Sequence, residues 1–221
     1  MNKTKAKEVR EIMSIQNEIV KIAKLCYETG LVVGTAGNVS VREEDMMYIT
    51  PSALPYNEMT EEDVLKVDLT TGKVIEGNRK PSSETPMHTN IYLQKEEIKA
   101  IVHTHSTYAT IFACAHKAIP PVHYVIADIG REVSVAPYAR YGSESLAGYA
   151  VETLGDANGV LLANHGVVAV GDTLADAYRR AEAIEELALL SYGSHVLNSV
   201  NPLTEEELDE ALEGFKTYTS N

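Results

Sequence analysis

The sequence predicts an α/β protein: a single domain whose central sheet, mostly antiparallel or mixed, is covered by helices. Three observations lead there. Segments of helical periodicity are interspersed with short apolar runs bounded by turn residues. Several of those runs lie close enough in sequence to pair as hairpins, which parallel strands cannot do. No repeat, low-complexity segment or linker divides the 221 residues, a length suited to one sizeable domain.

Taken in order, residues from about Glu8 to Thr29 predict a helix, because Ile12, Ile15, Ile19, Ala23 and Cys26 recur every three or four positions. Gly30 suits its C-terminal stop. Val39–Val41 and Met46–Thr50 read as a hairpin, and Thr60-Glu61-Glu62-Asp63 as the start of a short helical turn. Val64–Leu69 and Lys73–Ile75 pair around Thr70-Thr71-Gly72. Thr85 suits an N-cap and Pro86 the first position of a helix running to about Lys95. A buried strand begins at Lys99 and carries His103, followed by a helix over about Tyr108–Ala115. His123–Ala127 and Val133–Ala136 read as strands, and Ser143 caps a helix that ends near Leu154. Val160–Ala163 and Val167–Val170 are apolar β runs separated by Asn164-His165-Gly166. A long helix starts near Asp172-Thr173, and the capping box Thr204–Glu207 opens a last helix to about Phe215, with Lys216-Thr217-Tyr218 as a tail.

The formal net charge of −13 argues against nucleic acid or an anionic membrane as a general partner. An anionic small substrate then needs a local cradle. Cys26 and Cys114 sit in apolar contexts without C-x-x-C spacing and read as core thiols, which suits a reducing, cytoplasmic setting. Lys3, Lys5 and Lys7 are followed by no apolar core of a signal peptide, and no run is long enough to span a bilayer.

The residues with chemical potential centre on His103-Thr104-His105. Positions i and i+2 share a strand face, so the two imidazoles project together, about 6.5–7 Å apart at the backbone. Such a pair suits one metal ion, and equally two hydrogen-bonded histidines at a strand end. His165, in a turn between buried strands, supplies a third candidate ligand, and three histidines with an open fourth position form a catalytic type of zinc site. Glu84, next to a helix start, is a candidate acid/base or simply a partner of the helix dipole. Three segments have anion-binding character: Gly34-Thr35-Ala36-Gly37-Asn38, Thr50-Pro51-Ser52-Ala53, and Ser82-Ser83 ahead of a helix N-terminus. None is a Walker loop or a dinucleotide fingerprint. His88, His116 and His195 read as packed, capping or exposed, and Tyr124 as core or interface.

Taken together, Gly-Thr-Ala-Gly-Asn-Val-Ser (34–40), Thr-Pro-Ser (50–52), Pro-Ser-Ser-Glu (81–84), His-x-His (103–105) and Asn-His-Gly (164–166) resemble the class II aldolase/adducin family, in its ketose-1-phosphate aldolase branch. The resemblance runs nearly end to end. It implies a three-layer α/β/α fold around a mainly antiparallel sheet, and a cytoplasmic homotetramer with active sites at subunit interfaces. It implies Zn2+ on His103, His105 and His165, with Glu84 as acid/base. Gly37, Asn38, Thr50, Ser52, Ser82 and Ser83 would hold the substrate phosphate, and Tyr124 and Tyr218 would reach the site of a neighbouring subunit. The implied reaction is reversible cleavage of L-fuculose 1-phosphate, or a related ketose 1-phosphate, to dihydroxyacetone phosphate and L-lactaldehyde. Ala53 stands where the family often has Gly, and Asp128 and Arg131 where smaller residues are expected. A sugar-phosphate 4-epimerase and a methylthioribulose-phosphate dehydratase of the same fold are the alternatives. The epimerases carry Asp where Glu84 stands, and Asp-Tyr where His123-Tyr124 stands.

Overall fold

The computed structural model describes residues 14–218, without the side chains of 216–218. Helix α1 (Ile15–Glu28) is capped by the Ser14 hydroxyl, which accepts from the Asn17 N–H, and buries Ile19, Ile22, Ala23 and Cys26. The earlier turns of the helix expected from Glu8 lie outside the described residues. Strands β1 (Asn38–Glu43), β2 (Met46–Ile49), β3 (Leu65–Asp68) and β4 (Val74–Glu76) form an antiparallel meander. Helix α2 (Thr85–Gln94), strand β5 (Ala100–Thr104) and helix α3 (Thr107–Ala115) follow. Then come β6 (Val135–Ala136), α4 (Glu144–Leu154), the hairpin β7 (Gly159–Leu162) and β8 (Gly166–Gly171), α5 (Leu174–Val196) and α6 (Glu205–Tyr218). No helix among the described residues is long and apolar enough to cross a membrane.

The strands join in one sheet of order β4-β3-β2-β1-β5-β8-β7-β6, in which β6–β7 is the one parallel pairing among the described residues. Side chains alternate across it into two cores. Val39, Ala100, Val102, Val167 and Ala169 join α1, α3 and α5 on one face. Ile101, Val160, Leu162, Val168 and Val170 join α2 and α4 on the other. This is the three-layer α/β/α sandwich expected from the sequence. Each fully buried Ile, Leu or Val side chain contributes roughly 1.5–3 kcal/mol of transfer free energy to holding the layers together.

The alternation also places the chemistry. His103 follows Ile101 by two residues and so faces the α2 layer. Asn38 and Ser40 flank Val39, which points into the opposite core, so they share His103's face. The β1–β5 register sets Asn38 directly opposite His103.

Several local expectations are corrected. Glu84, not Thr85, is the N-cap of α2. The Thr85 hydroxyl donates back to the Ser82 carbonyl at 2.7 Å, and the chain is already helical at that residue. His123–Ala127 is no strand. Tyr124–Asp128 is a 3-10 turn, entered as the His123 ring accepts from the Val125 N–H. β6 closes that edge of the sheet and the turn packs on α5 and α6, so Ile126 is buried without pairing while Tyr124 stays exposed. Only Val135–Ala136 of the next run is a strand, with Val133 bridging Ile119. The backbone of 216–218 continues α6 rather than forming a separate tail. Cys114 is exposed, because α3 buries its neighbours Phe112 and Ala113 on its other side. Cys26 is buried as expected, and burial pushes its thiol up to about 12.

Asp128 and Arg131 have assignments within the chain. Arg180 Nε and Nη2 reach Asp128 at 3.1 and 3.3 Å, fixing the 3-10 turn on α5. Arg131 pairs with Glu205 at 3.3 Å and with Asp209, tying the same segment to α6.

Candidate functional site

The histidines meet at the ends of β5 and β8. His103 closes β5, His105 follows as the strand breaks, and His165 occupies the tight β7–β8 turn. Their ring centroids form a near-equilateral triangle of 4.9, 4.9 and 4.8 Å. The Nε2 atoms of His103 and His105 are 3.1 Å apart. His103 Nδ1–H donates to the Val167 carbonyl at 2.9 Å, which turns its Nε2 into the cluster. Glu84, at the head of α2, approaches from the facing layer. Its Oε2 lies 2.8 Å from His103 Nε2 and its Oε1 3.4 Å from His165 Nε2.

Glycines allow the close approach. Gly37 has φ +79°, and a Cβ there would stand 2.5 Å from the His103 carbonyl oxygen. Gly166 lies so close to β5 that a Cβ would fall 2.4 Å from the Thr104 oxygen. Gly37→Ala is therefore expected to lower stability by about 1–3 kcal/mol from the backbone conformation alone. Thermal denaturation would measure this, and an unchanged melting point would contradict the packing described.

Electrostatics separates the roles. Burial by itself would raise the Glu84 carboxyl, but the charge and hydrogen bond of His103, with His165 and Asn38, hold it well below the usual carboxylate range. Burial opposes a proton on His103, and Glu84 beside it more than compensates, raising its affinity for that proton. Burial and then the neighbouring imidazoles push His105 down to about 3. Burial and then His103 push His165 down to about 4. His105 and His165 thus keep free lone pairs at neutral pH.

This donor set fits a divalent cation. One ligand atom from each of Glu84, His103, His105 and His165 lies within 4.8 Å of the others. Two ligands about 2.1 Å from a tetrahedral ion are themselves roughly 3.4 Å apart, close to the His103–His105 spacing. Glu84 Oε1 is a buried oxygen without a hydrogen-bond partner, a deficit that a cation or its water would remove.

A cavity of about 280 Å³ opens onto this cluster. All three loops with anion-binding character line it, through Thr35–Asn38, Pro51–Ala53 and Ser82–Ser83, together with Glu84, His105 and His165. Thr50 lies behind the wall instead, where its hydroxyl accepts from the Val39 N–H at 3.2 Å. Ser82 Oγ accepts from the Glu84 N–H at 3.2 Å, setting the turn into α2. Asn38 Nδ2 donates to Glu84 Oε2 at 3.1 Å. Tyr124 is exposed on its 3-10 turn, beside His123 and Phe215, and does not line the cavity of its own chain. The side chain of Tyr218 lies outside the described residues.

Residues 17–192 match the family model described as class II aldolase and adducin N-terminal domain. The chain belongs to the class II aldolase and adducin family. It is 41% identical over 205 residues to the 5-deoxy-D-ribulose 1-phosphate aldolase of Bacillus thuringiensis, covering 92% of this chain and 96% of that one. It is 38% identical over 203 residues to the L-fuculose phosphate aldolase of Escherichia coli K12, covering 90% and 94% respectively. Among solved structures, an L-fuculose 1-phosphate aldolase superposes with a TM-score of 0.89 at 39% identity, over 91% of this chain and 96% of that chain. The protein is a class II aldolase, a lyase of a metal-dependent family, and its Glu/His cluster is able to bind the metal.

Sequence reasoning missed two tyrosines of this class II aldolase, and the partners of a histidine it rightly reads as packed. Tyr138 and Tyr141 line the cavity from the segment after β6, where no motif marked them. His88 is fully buried, and bonds Asn38 and Ser40 behind Glu84. Its spacing four residues after Glu84, on one helix face, was the available signal.

Proposed function

We propose that the protein cleaves the C3–C4 bond of a ketose 1-phosphate, reversibly, to dihydroxyacetone phosphate and an aldehyde. The observation that carries this reading is one cavity lined by Glu84, His105 and His165, with His103 buried behind them, and by three loops rich in hydroxyls and backbone N–H groups. A phosphorylated ketose needs an anion cradle at one end and charge stabilisation at its carbonyl end, and the cavity offers both.

His103, His105 and His165 would hold zinc, an ion commonly bound by three imidazoles with a further position open. When bound, it supplies a Lewis acid to the ketose oxygens, where negative charge grows as the bond breaks. Gly37, Asn38, Ser52, Ser82 and Ser83 would bind and orient the phosphate, while buried Thr50 shapes the loop from behind. Glu84 would deliver a proton to C3 after cleavage and remove it from dihydroxyacetone phosphate in the condensation direction. Tyr124 of a neighbouring subunit would take the C4 hydroxyl proton in cleavage, and Tyr218 would help close the site. Both roles require a symmetric oligomer, the expected homotetramer, and the exposure of Tyr124 away from its own cavity supports this.

L-fuculose 1-phosphate, yielding L-lactaldehyde, is the first substrate, supported by the 38% identity to the Escherichia coli enzyme and the TM-score of 0.89. 5-Deoxyribulose 1-phosphate, yielding acetaldehyde, is the second, supported by the 41% identity to the Bacillus thuringiensis enzyme. Both carry a terminal methyl group. Metal-loaded protein should release dihydroxyacetone phosphate from the preferred ketose with kcat/KM of about 10⁴ M⁻¹s⁻¹ or more. An assay coupled to reduction of that product distinguishes the two. Epimerisation of L-ribulose 5-phosphate, with no triose phosphate from either ketose, would overturn the aldolase reading.

A further inference from the structure

Behind Glu84 runs a chain of buried hydrogen bonds for which the reaction described above has no use. Tyr92 OH lies 2.8 Å from Ser40 Oγ. Ser40 Oγ lies 2.6 Å from His88 Nδ1, and His88 Nε2 lies 2.5 Å from Asn38 Oδ1. Asn38 Nδ2 then reaches Glu84 Oε2. Ser40, His88 and Tyr92 are wholly buried, and Asn38 is 3% exposed.

The charge of Glu84 sets the direction of every proton in this chain. A carboxylate only accepts, so the Asn38 amide must face it with Nδ2 rather than Oδ1. Oδ1 is then turned to His88, and the proton between them belongs to His88 Nε2. A neutral imidazole with that proton has a lone pair on Nδ1, which accepts from the Ser40 hydroxyl. Ser40 has no second proton, so Tyr92 must donate to it. Burial first, and the charge of His103 next, push the His88 imidazole down to about 3, so it stays neutral.

We propose that His88 is a positioning residue that locks the Asn38 amide in the one orientation that presents its N–H groups to Glu84 and to the anion loop. Asn38 lines the cavity, and one of its two Nδ2 protons is committed to Glu84. The other remains for a phosphate oxygen. An Asn amide has nearly the same shape when flipped, so packing alone does not choose between the orientations. Glu84 holds the Nδ2 end and His88 the Oδ1 end; without the His88 donor, the amide is held at one end only and is free to swing its second N–H away from the anion loop. The lock therefore links phosphate binding to the acid/base group through a single side chain. The kinetic consequence rests on the aldolase reading, whereas the proton positions do not.

Two variants of similar polarity separate positioning from mere core filling. His88→Gln carries an N–H₂ to the place of Nε2 and keeps the donor to Asn38. His88→Asn carries its amide only to the place of Nδ1 and loses that donor. Losing a hydrogen bond to a charged network should lower kcat/KM of H88N roughly ten- to hundredfold, with KM raised as well as kcat lowered. H88Q should recover most of that loss, with both variants melting within a few degrees of each other. Equal impairment of the two, or a fall in kcat at unchanged KM, would overturn the proposal. Independently, the two-bond ¹H–¹⁵N correlation spectrum of the wild-type protein should show His88 as a neutral ring protonated on Nε2. A ring protonated on Nδ1, or on both nitrogens, would overturn it even if every ketose 1-phosphate tested proved inert. Inert wild-type protein with the Nε2–H ring would instead indict the aldolase reading alone.

Discussion

His165→Asn should remove the metal and nearly all turnover while leaving the metal-free fold in place. His165 is the most suitable of the trio for this test. It sits in the β7–β8 turn with 12% of its side chain exposed, and its 3.4 Å approach to Glu84 is the looser of that carboxylate's two imidazole contacts. His103, by contrast, is wholly buried and tied to the Val167 carbonyl, so replacing it would mix metal loss with core damage. A Lewis acid is worth several kcal/mol in the transition state, which corresponds to about 10³-fold or more in kcat. Metal content by mass spectrometry, titration calorimetry with Zn2+ and the triose-phosphate assay measure the effect. Full metal stoichiometry with turnover within a factor of ten of wild type would show that His165 is not a ligand.

Glu84→Gln should spare metal binding and abolish proton transfer. The amide is isosteric and still accepts from Asn38 Nδ2, the 3.1 Å bond that Glu84 now receives. It cannot exchange a proton at C3, so kcat should fall by about 10²–10⁴-fold with little change in KM. Normal turnover in a metal-replete E84Q protein would remove Glu84 from the reaction. The same variant has a signature in acid. The Glu84 carboxyl is held below its ordinary range in the folded protein. Its contribution to stability is therefore present above the unfolded carboxyl value of about 4.3 and is lost as pH falls through the folded value. His103 works in the opposite sense. Its raised proton affinity stabilises the metal-free fold below about pH 6.5 and fades as pH rises through the folded value. Metal-free wild type and E84Q should thus differ most in stability between these limits, and converge on acidification. Denaturant titrations at pH 3 and pH 5.5 would measure the gap.

The site was legible where chemistry follows from local spacing. The His-x-His spacing pointed to two converging imidazoles, and the rings do converge, although β5 ends at Thr104 and His105 lies just beyond it. The hydroxyl-rich segments could be named because Gly, Ser and Thr in strand-exit loops are distinctive. Their common destination could not, since the three segments are joined only when β1, β2 and the head of α2 are brought beside each other. Glu84 shows the same limit. Its place beside a helix start was readable, but only the packing of α2 on the sheet brings its carboxylate to 2.8 Å from His103. The expected strand at His123–Ala127 is a 3-10 turn because an apolar pair such as Val125-Ile126 reports burial as readily as pairing.

By itself, the sequence determined the layered α/β architecture, the order of nearly every element and the identities of the groups able to hold a cation and an anion. These follow from periodicity, turn chemistry and side-chain type, all of which act over a few residues. Only the tertiary structure decided which of those groups meet. The β1–β5 register sets Asn38 against His103, and the packing of α2 on that face delivers Glu84 and His88 to the same pair. Register and layer packing are long-range choices, made by the burial of two apolar cores, and no local spacing encodes them.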